Sequence, residues 1–384
     1  MRAGAVLGGS VLLLALAAGA RAGVPAVEVS TSLSPSVARD VDESSRVYVE
    51  GPDGADGLPS GQILLPPHPG GGELSLPCSE SLACFHEYDV PGGFAESGRI
   101  IGRVVSFGSG GPFIPAPATW SASGTTRTLI TTLDGYYTAW GHVAHGNSGD
   151  LLVGVLPFLG AVYWSGPAEE PVELVDGGDP ERINDAGEIV GVSSSRAAIW
   201  KPRGYALEFL GELAGGATSR AHDLDSSGLV VGSSDDGSED VAVVWAPNGS
   251  GYDAVSLPVP AGFADGSCTE ATAISDAGRI AGNCTMAGGQ TRGVIWRKQG
   301  ASWAFLRELD PLLADTESAV FGLNELGQAV GRSGDDATGR AVLWNFAPAP
   351  PPVPALSALA LLLLGLGVLW TGRRALSRPT LRAS

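Results

Sequence analysis

The 384-residue chain has little that marks a familiar enzyme. It carries no P-loop, no Gly-x-Ser-x-Gly and no glycine fingerprint between a strand and a helix. Phosphate cradles, hydrolase elbows and dinucleotide turns are therefore not encoded. Cysteine is scarce at four residues, and no Cys-x-x-Cys spacing supports a zinc or redox site. Basic residues are few. There are 23 lysines and arginines against 41 aspartates and glutamates, and so acidic a surface repels phosphate backbones, which excludes nucleic acid as a partner. No long apolar stripe of helical period occurs outside the termini. What remains is rich in glycine, with spaced prolines and short β-branched runs, an all-β profile.

Against these absences stands a repeated phrase. It reads as an apolar residue, an Asn/Asp-rich turn ending in Gly, two or three apolar residues and Gly again, followed by a small-apolar strand closed by Trp. The clearest copy is Ile183-Asn184-Asp185-Ala186-Gly187-Glu188-Ile189-Val190-Gly191, with Ala197-Ala198-Ile199-Trp200 after it. Five more copies occupy residues 94–102 with Trp120, 146–154 with Trp164, 224–232 with Trp245, 274–282 with Trp296, and 323–331 with Trp344. The turn glycines are Gly98, Gly149, Gly187, Gly228, Gly278 and Gly327, at intervals of 51, 38, 41, 50 and 49 residues. Asn and Asp tolerate left-handed backbone and Gly adopts it freely, so each turn predicts a hairpin between two strands. Further apolar runs give about four strands per unit. In one unit these are residues 219–224, 229–231, 241–245 and 254–257.

A unit of roughly 40 to 50 residues with four strands predicts the blade of a β-propeller, each Trp being buried against the neighbouring blade. Residues 41–49, Val-Asp-Glu-Ser-Ser-Arg-Val-Tyr-Val, look like a decayed copy without the turn Gly. Counting it gives seven blades, and ignoring it gives six.

The phrase Ile-Asn-Asp-Ala-Gly-Glu-Ile-Val-Gly with its Ala-x-x-Trp strand resembles the extracellular HAF-repeat family of bacteria, over roughly residues 90 to 346. The His-Ala-Phe triplet of that family is absent. Arg196-Ala197-Ala198, Val241-Ala242-Val243 and Arg340-Ala341-Val342 stand in its place and keep only the central Ala. The resemblance implies export and a propeller-like body, with no chemistry to carry over.

The ends of the chain also point to export. Arg2, an apolar run at 11–18 and Ala20-Arg21-Ala22 read as a secretory signal peptide over residues 1–22. At the other end, a Pro-rich linker (347–354) leads into an apolar segment with a basic tail (355–384), predicted as a hydrophobic helix. The order Val353-Pro354-Ala355-Leu356-Ser357, apolar helix, Arg373-Arg374 resembles the IPTL-CTERM and PEP-CTERM sorting tails of Gram-negative bacteria. That implies at least transient contact with the membrane, a cytoplasmic basic tail before processing, an exosortase-like processing enzyme as partner, and delivery to the envelope or outside. A simple membrane anchor is the alternative. Between these ends the organisation reads as an N-terminal segment with a possible decayed blade (23–90) and a repeat body (91–346). The exported part keeps 17 basic against 41 acidic groups. In an oxidising compartment the four cysteines favour disulfides, with Cys78–Cys84 and Cys268–Cys284 as the local pairings.

No catalytic residue emerges. Gly146-Asn147-Ser148-Gly149-Asp150, with His142 and His145 before it, resembles a serine-protease nucleophile loop, yet the repeat already accounts for it as a turn. His142-x-x-His145 lacks a helical setting and a third metal ligand. The acidic runs Asp223-Leu224-Asp225 and 235–240 read as solvated turns. Ca²⁺ is the single cofactor they suggest, and neither run spells an EF-hand loop. The sequons at Asn248 and Asn283 are not expected to be used. The expectation is an exported, non-catalytic binding or structural module presenting variable loops to an extracellular polymer or protein; the alternative is a propeller hydrolase or lyase acting on such a polymer.

Overall fold

The computed structural model describes residues 24–346 except 30, 32, 54–58, 69–72, 75–86, 108–112, 131–141, 148 and 157–158. Both terminal segments, the sorting-motif residues, Cys78 and Cys84 lie outside the described residues. The strands form seven antiparallel sheets, the blades of a seven-bladed β-propeller. Among the described residues there is no helix.

The chain begins with β1 (Val27–Glu28), and then lays down the blades in order. Blade 1 is β2 (Val37–Val41), β3 (Val47–Asp53) and β4 (Pro59–Leu64). Blade 2 is β5 (Glu87–Phe94), β6 (Ile100–Phe107), β7 (Phe113–Trp120) and β8 (Arg127–Leu129). Blade 3 is β9 (His142–Gly146), β10 (Leu152–Leu156), β11 (Gly160–Trp164) and β12 (Val172–Glu173). Blade 4 is β13 (Asp179–Ile183), β14 (Ile189–Ser193), β15 (Arg196–Trp200) and β16 (Leu207–Phe209). Blade 5 is β17 (Ser219–Leu224), β18 (Val230–Asp235), β19 (Asp240–Pro247) and β20 (Tyr252–Ser256). Blade 6 is β21 (Phe263–Ser275), β22 (Arg279–Met286), β23 (Thr291–Gln299) and β24 (Ser302–Leu309). Blade 7 is β25 (Ser318–Leu323), β26 (Gln328–Ser333) and β27 (Arg340–Asn345).

Blade 7 takes its fourth strand from the other end of the chain. β1 pairs with β27, and Val24 continues the suture by bonding Glu308 O and Asp310 N beside blade 6. The N-terminal segment is thus part of the ring, which therefore begins well before residue 91.

Each repeated phrase is the hairpin between the first two strands of a blade. Its left-handed residue recurs seven times, as Ser45 (φ 60°), Gly98 (72°), Asp150 (66°), Gly187 (80°), Gly228 (80°), Gly278 (70°) and Gly327 (82°). In blade 3 that residue is Asp150, and not Gly149 as the sequence suggests. Two adjacent candidates compete there, and Asp tolerates the left-handed region well enough to take it. Blade 1 is the decayed copy made regular, with Ser45 in the glycine's place.

The six repeat tryptophans, Trp120, Trp164, Trp200, Trp245, Trp296 and Trp344, are all fully buried. Each pairs across the sheet with the residue two after its left-handed position, as Ile189 with Trp200; in blade 1 the same register pairs Val47 with Leu64. Leu64 therefore stands where the other blades carry Trp. The cores lie between blades. Trp296, for example, packs with Ile280 and Val294 of blade 6 against Val231 and Val244 of blade 5. Its indole N–H donates to Pro258 O, and Trp200, Trp245 and Trp344 bond the carbonyls of Val175, Gly211 and Asp310 in the corresponding loops. A buried Trp needs such a partner for its N–H. Blade 6 also holds the disulfide Cys268–Cys284, which joins directly paired residues of β21 and β22.

Candidate functional site: a two-chambered central channel

The seven innermost strands line a channel, and all of them carry the same irregularity. In blades 1, 4, 5, 6 and 7 the pairing with the second strand skips one residue: Arg39, Glu181, His222, Thr272 and Phe321, respectively. Blades 2 and 3 slip at the equivalent place. A β-bulge sends two consecutive side chains to one face of a strand and re-aims them. Here that face is the channel. In blades 4 and 5 the two strands approach so closely beside the bulge that only glycine fits at the end of the phrase, for a Cβ on Gly191 would lie 2.1 Å from Asp179 O and one on Gly232 would lie 1.9 Å from Arg220 O, whereas blade 1 forms the same bulge with Val49 at that position.

The bulge residues form one ring and those after them a second. The bulge ring lines a chamber of about 520 Å³ together with Tyr48, Asp179, Arg220 and Glu270. The following ring, Asp40, Gly93, His145, Arg182, Asp223, Ala273 and Gly322, is the neck. Beyond it a narrower chamber of about 260 Å³ opens toward the hairpin turns. Among the described residues the two chambers share only Asp40 and Arg182 in their linings.

The neck residues tie blade to blade. Asp40 accepts Val41 N with one carboxylate oxygen (2.9 Å) and Phe94 N of blade 2 with the other (3.0 Å). Asp223 repeats the arrangement with Leu224 N (2.9 Å) and Ile274 N of blade 6 (2.9 Å). His145 Nδ1 lies 3.2 Å from Ile183 O of blade 4. A third tie runs through the turns: Asn147, Asn184 and Asn324 donate Nδ2 to the carbonyls of Asn184, Asp225 and Asp42, at 3.2, 3.1 and 2.9 Å.

One cation serves this neck. Burial works against the charge of Arg182, but Asp40, Asp223 and Glu96 outweigh it and hold the guanidinium charged. Its Nε is 3.8 Å from Asp223 Oδ1. Three carboxylates cannot all ionise comfortably beside one guanidinium within low-dielectric walls. Burial raises Asp40, raises Asp223 to about 6 and raises Glu96 to about 7. Glu96 is open to channel water, its side chain 56% exposed, yet protein encloses it on most sides. Its Oε1 lies 3.9 Å from His145 Nε2, and burial followed by the nearby Arg182 charge keeps that imidazole neutral.

The turn-side mouth is acidic. Glu43, Glu96, Asp185, Asp276 and Glu325 occupy equivalent turn positions in five blades. Several of these carboxylates cap the next turn: Glu43 accepts Glu325 N (2.7 Å), Glu325 accepts Asp276 N (2.5 Å) and Ala277 N (2.9 Å), and Asp276 accepts Ser226 N (2.8 Å). The wide chamber is mixed in charge. Glu181 receives Arg220 Nε (2.6 Å) and lies 3.0 Å from His222 Nδ1; burial opposes its ionisation, but these partners hold its carboxyl below the usual range. Arg220 also reaches Asp179 (3.4 Å), Asn283 donates to Glu270 (2.9 Å), and Arg39 pairs with Glu50 and stacks 4.5 Å from the Phe321 ring centre.

Of the residues singled out in the sequence, His145 reaches the channel and His142 lies on β9. Asn147 holds the turn of blade 3, and Ser148 lies outside the described residues. Asp223 and Asp225 are not a solvated turn, because one sits in the neck and the other is buried in its hairpin. The run at 235–240 serves its own backbone, Asp236 accepting Ser238 N and Glu239 N. Among the described residues no three His, Cys, Asp or Glu side chains converge as a metal site requires. Asn248 is exposed, whereas Asn283 is buried and spends its amide on Val320 of the next blade. Sequence reasoning missed the bulge and neck rings. Their signal is the pair of residues just before each apolar opening of the phrase, where the copies differ most.

The chain matches no protein-family model and no curated protein. Among solved structures it is similar to the β-propeller domain of the Trilobed protease from Pyrococcus furiosus, at 11% identity and a TM-score of 0.50 over 80% of this chain and 94% of that one. That domain has an open velcro topology, whereas β1 closes the ring here. The chain is also similar to a chain of a mitotic checkpoint complex, at 11% identity and a TM-score of 0.51 over 88% and 99%. At this identity the likeness shows the propeller fold alone.

Proposed function

We propose that the protein is an exported, non-catalytic binding propeller whose ligand, part of an extracellular polymer or protein, enters the wide chamber. The observation that carries this reading is that the chamber is built from the residues that vary between blades, while its Arg, His and most of its carboxylate groups are already paired with one another and Glu270 is bonded by Asn283. Its 520 Å³ falls within the range of about 300 to 1,000 Å³ typical of ligand pockets. In the neck, Asp40, Asp223 and His145 Nδ1 are committed to backbone groups of adjacent blades, and the acid that faces His145 Nε2, Glu96 at 3.9 Å, lies on the narrow-chamber side, away from the wide chamber. Export is supported by the signal-like first 22 residues and the disulfide of blade 6. The tail supports sorting by an exosortase-like enzyme, with the membrane engaged at least until processing.

A second reading, a hydrolase or lyase, is favoured by the Glu181–His222 pair, since a carboxylate bonded to Nδ1 orients an imidazole for general-base work. Affinity electrophoresis of the purified protein in gels containing extracellular polysaccharides or peptides, with released products assayed in the same samples, separates the two. Retention without products supports binding. Products whose release is abolished by His222→Ala overturn it in favour of catalysis. Intact mass of the exported protein checks both processing sites.

A further inference from the structure

We infer that the wide chamber takes the end of a neutral saccharide chain, one terminal sugar entering from the bulge side. This rests on the binding reading above and names its ligand class.

Three observations carry it. The first is that the chamber narrows to a floor at the neck: among the described residues its lining meets that of the narrow chamber only at Asp40 and Arg182, and Arg182 is held there between carboxylates. That ion cluster obstructs the way through, and a chain lying across the mouth would leave the chamber unfilled. Only a terminus or a single-sugar branch reaches the floor.

The second is charge. Arg220 is shared by Glu181 and Asp179, His222 lies against Glu181, and Glu270 is bonded by Asn283. An anionic ligand group would have to break one of the Arg220 pairs and strand a partner in a half-buried site, at a cost larger than an exposed pair returns, and a cationic one meets, among these groups, a single carboxylate without a cation, Glu270, which the Asn283 amide already bonds. A hydroxyl group breaks nothing. It donates to a carboxylate lone pair or accepts from a guanidinium N–H that the existing pair leaves over.

The third is the mixture of surfaces. Blades 4, 5 and 6 line one side of the wall with Glu181, Arg220, His222, Glu270 and Thr272, and blade 7 presents Phe321, with the largely buried Tyr48 and Ile101 of blades 1 and 2 beyond it. A sugar ring presents hydroxyls at its edge and C–H groups on its faces, and it needs both kinds of contact at once. The bulge supplies them by placing Glu181, His222, Thr272 and Phe321, from four different blades, on one ring.

Titration calorimetry on the purified full-length protein tests this with linear neutral oligosaccharides, cyclic oligosaccharides of the same sugars, oligoglutamate and oligolysine. Binding of one or more linear oligosaccharides is expected. The cyclic forms, which have no ends, should bind at least about tenfold more weakly. Affinity should change less than about twofold when ionic strength is raised to shorten the Debye length from about 10 to about 3 Å. Glu270→Gln and Phe321→Leu, each checked for an unchanged melting curve, should weaken binding about tenfold or more, whereas Glu325→Gln at the opposite mouth should not. Equal binding of cyclic and linear forms would refute recognition of an end. Binding of a charged oligomer alone, with steep salt dependence, would refute the neutral class and leave the binding propeller standing. No binding by any linear oligosaccharide overturns the inference, and cleavage of one would overturn the binding reading itself.

Discussion

Replacing Gly232 by alanine tests whether the close approach of β17 and β18 at the phrase-ending glycine holds the bulge of blade 5. The φ of this glycine lies in no special region, so any penalty reports space rather than backbone conformation. The added Cβ would stand 1.9 Å from Arg220 O, 3.0 Å from Arg220 C and 3.1 Å from Ala221 Cα, where ordinary contact begins at 3.4 Å. All three neighbours are backbone, and no rotamer change relieves the clash. β17 must retreat from β18 by more than 1 Å, on the order of the overlap itself. Overpacking costs about 1–3 kcal/mol, and each ladder hydrogen bond strained by the retreat adds about 0.5–1.5 kcal/mol. Alanine returns about 0.4–1 kcal/mol by stiffening the unfolded chain. The net expectation is a loss of about 2–4 kcal/mol.

With an unfolding entropy of about 2.1 cal/mol/K per residue over roughly 320 residues, that loss lowers Tm by about 3–6 °C. Differential scanning calorimetry measures it against Gly251→Ala, where the nearest atom to the new Cβ is the Glu208 Oε1 at 3.7 Å. That control should be neutral. Because the bulge carries His222, the imidazole resonances of His222 should also move in Gly232→Ala and stay in place in Gly251→Ala. If Gly232→Ala falls within about 0.5 kcal/mol of wild type, as a plain surface substitution does, the close approach of β17 and β18 is not what holds the bulge.

Three further outcomes follow from the inter-blade ties and the neck. Ser275 replaces the turn Asn in blade 6, and its buried Oγ lacks a partner; Ser275→Asn should restore the donor used by Asn184 and raise stability by about 0.5–1.5 kcal/mol in urea titrations, and a loss would count against the tie. Asp223→Asn turns an amide NH₂ toward one of the two backbone N–H groups that Asp223 accepts, and should cost about 1–3 kcal/mol in the same assay, a neutral result arguing that those bonds are dispensable. Glu96 and Asp223 titrate at about 7 and 6 in the fold, above their unfolded values, so their contribution is complete below about pH 4, falls as pH rises above the unfolded values and is gone once pH passes 6 to 7. Depressed His145 acts oppositely, its contribution present above about 6.5 and fading as pH falls. Tm should therefore decline between about pH 6.5 and 7 and level off above, with a smaller decline in Glu96→Gln; a flat or rising wild-type profile over that interval would exclude the shared-proton picture.

How much of this was legible depended on whether a residue does the same job in every blade. The hairpin, its left-handed residue and the buried Trp do, so six copies announced themselves and the propeller followed. Blade 1 was half-hidden because Ser45 and Leu64 perform the same jobs with different chemistry. Ring closure was not legible, since β1 is a two-residue strand whose partner lies more than 300 residues away, and nothing local specifies that pairing. Gly149 misled because Asp150, beside it, satisfies the same backbone requirement.

The site escaped for the opposite reason, and it does not sit only in the loops. The shared residues fix where the bulge falls; the bulge then aims two adjacent positions into the channel whatever occupies them. At the neck the occupants are still constrained, because Asp40, Asp223 and His145 must each engage the next blade's backbone. One position earlier that constraint largely relaxes, and Arg, Glu, His, Thr and Phe all occur. A position that every blade aims at the same chamber, and that the fold leaves comparatively free to differ, is where ligand recognition can diversify without cost to the scaffold. In the proposed binding propeller the bulge ring would therefore carry specificity, and the neck would hold the blades that present it.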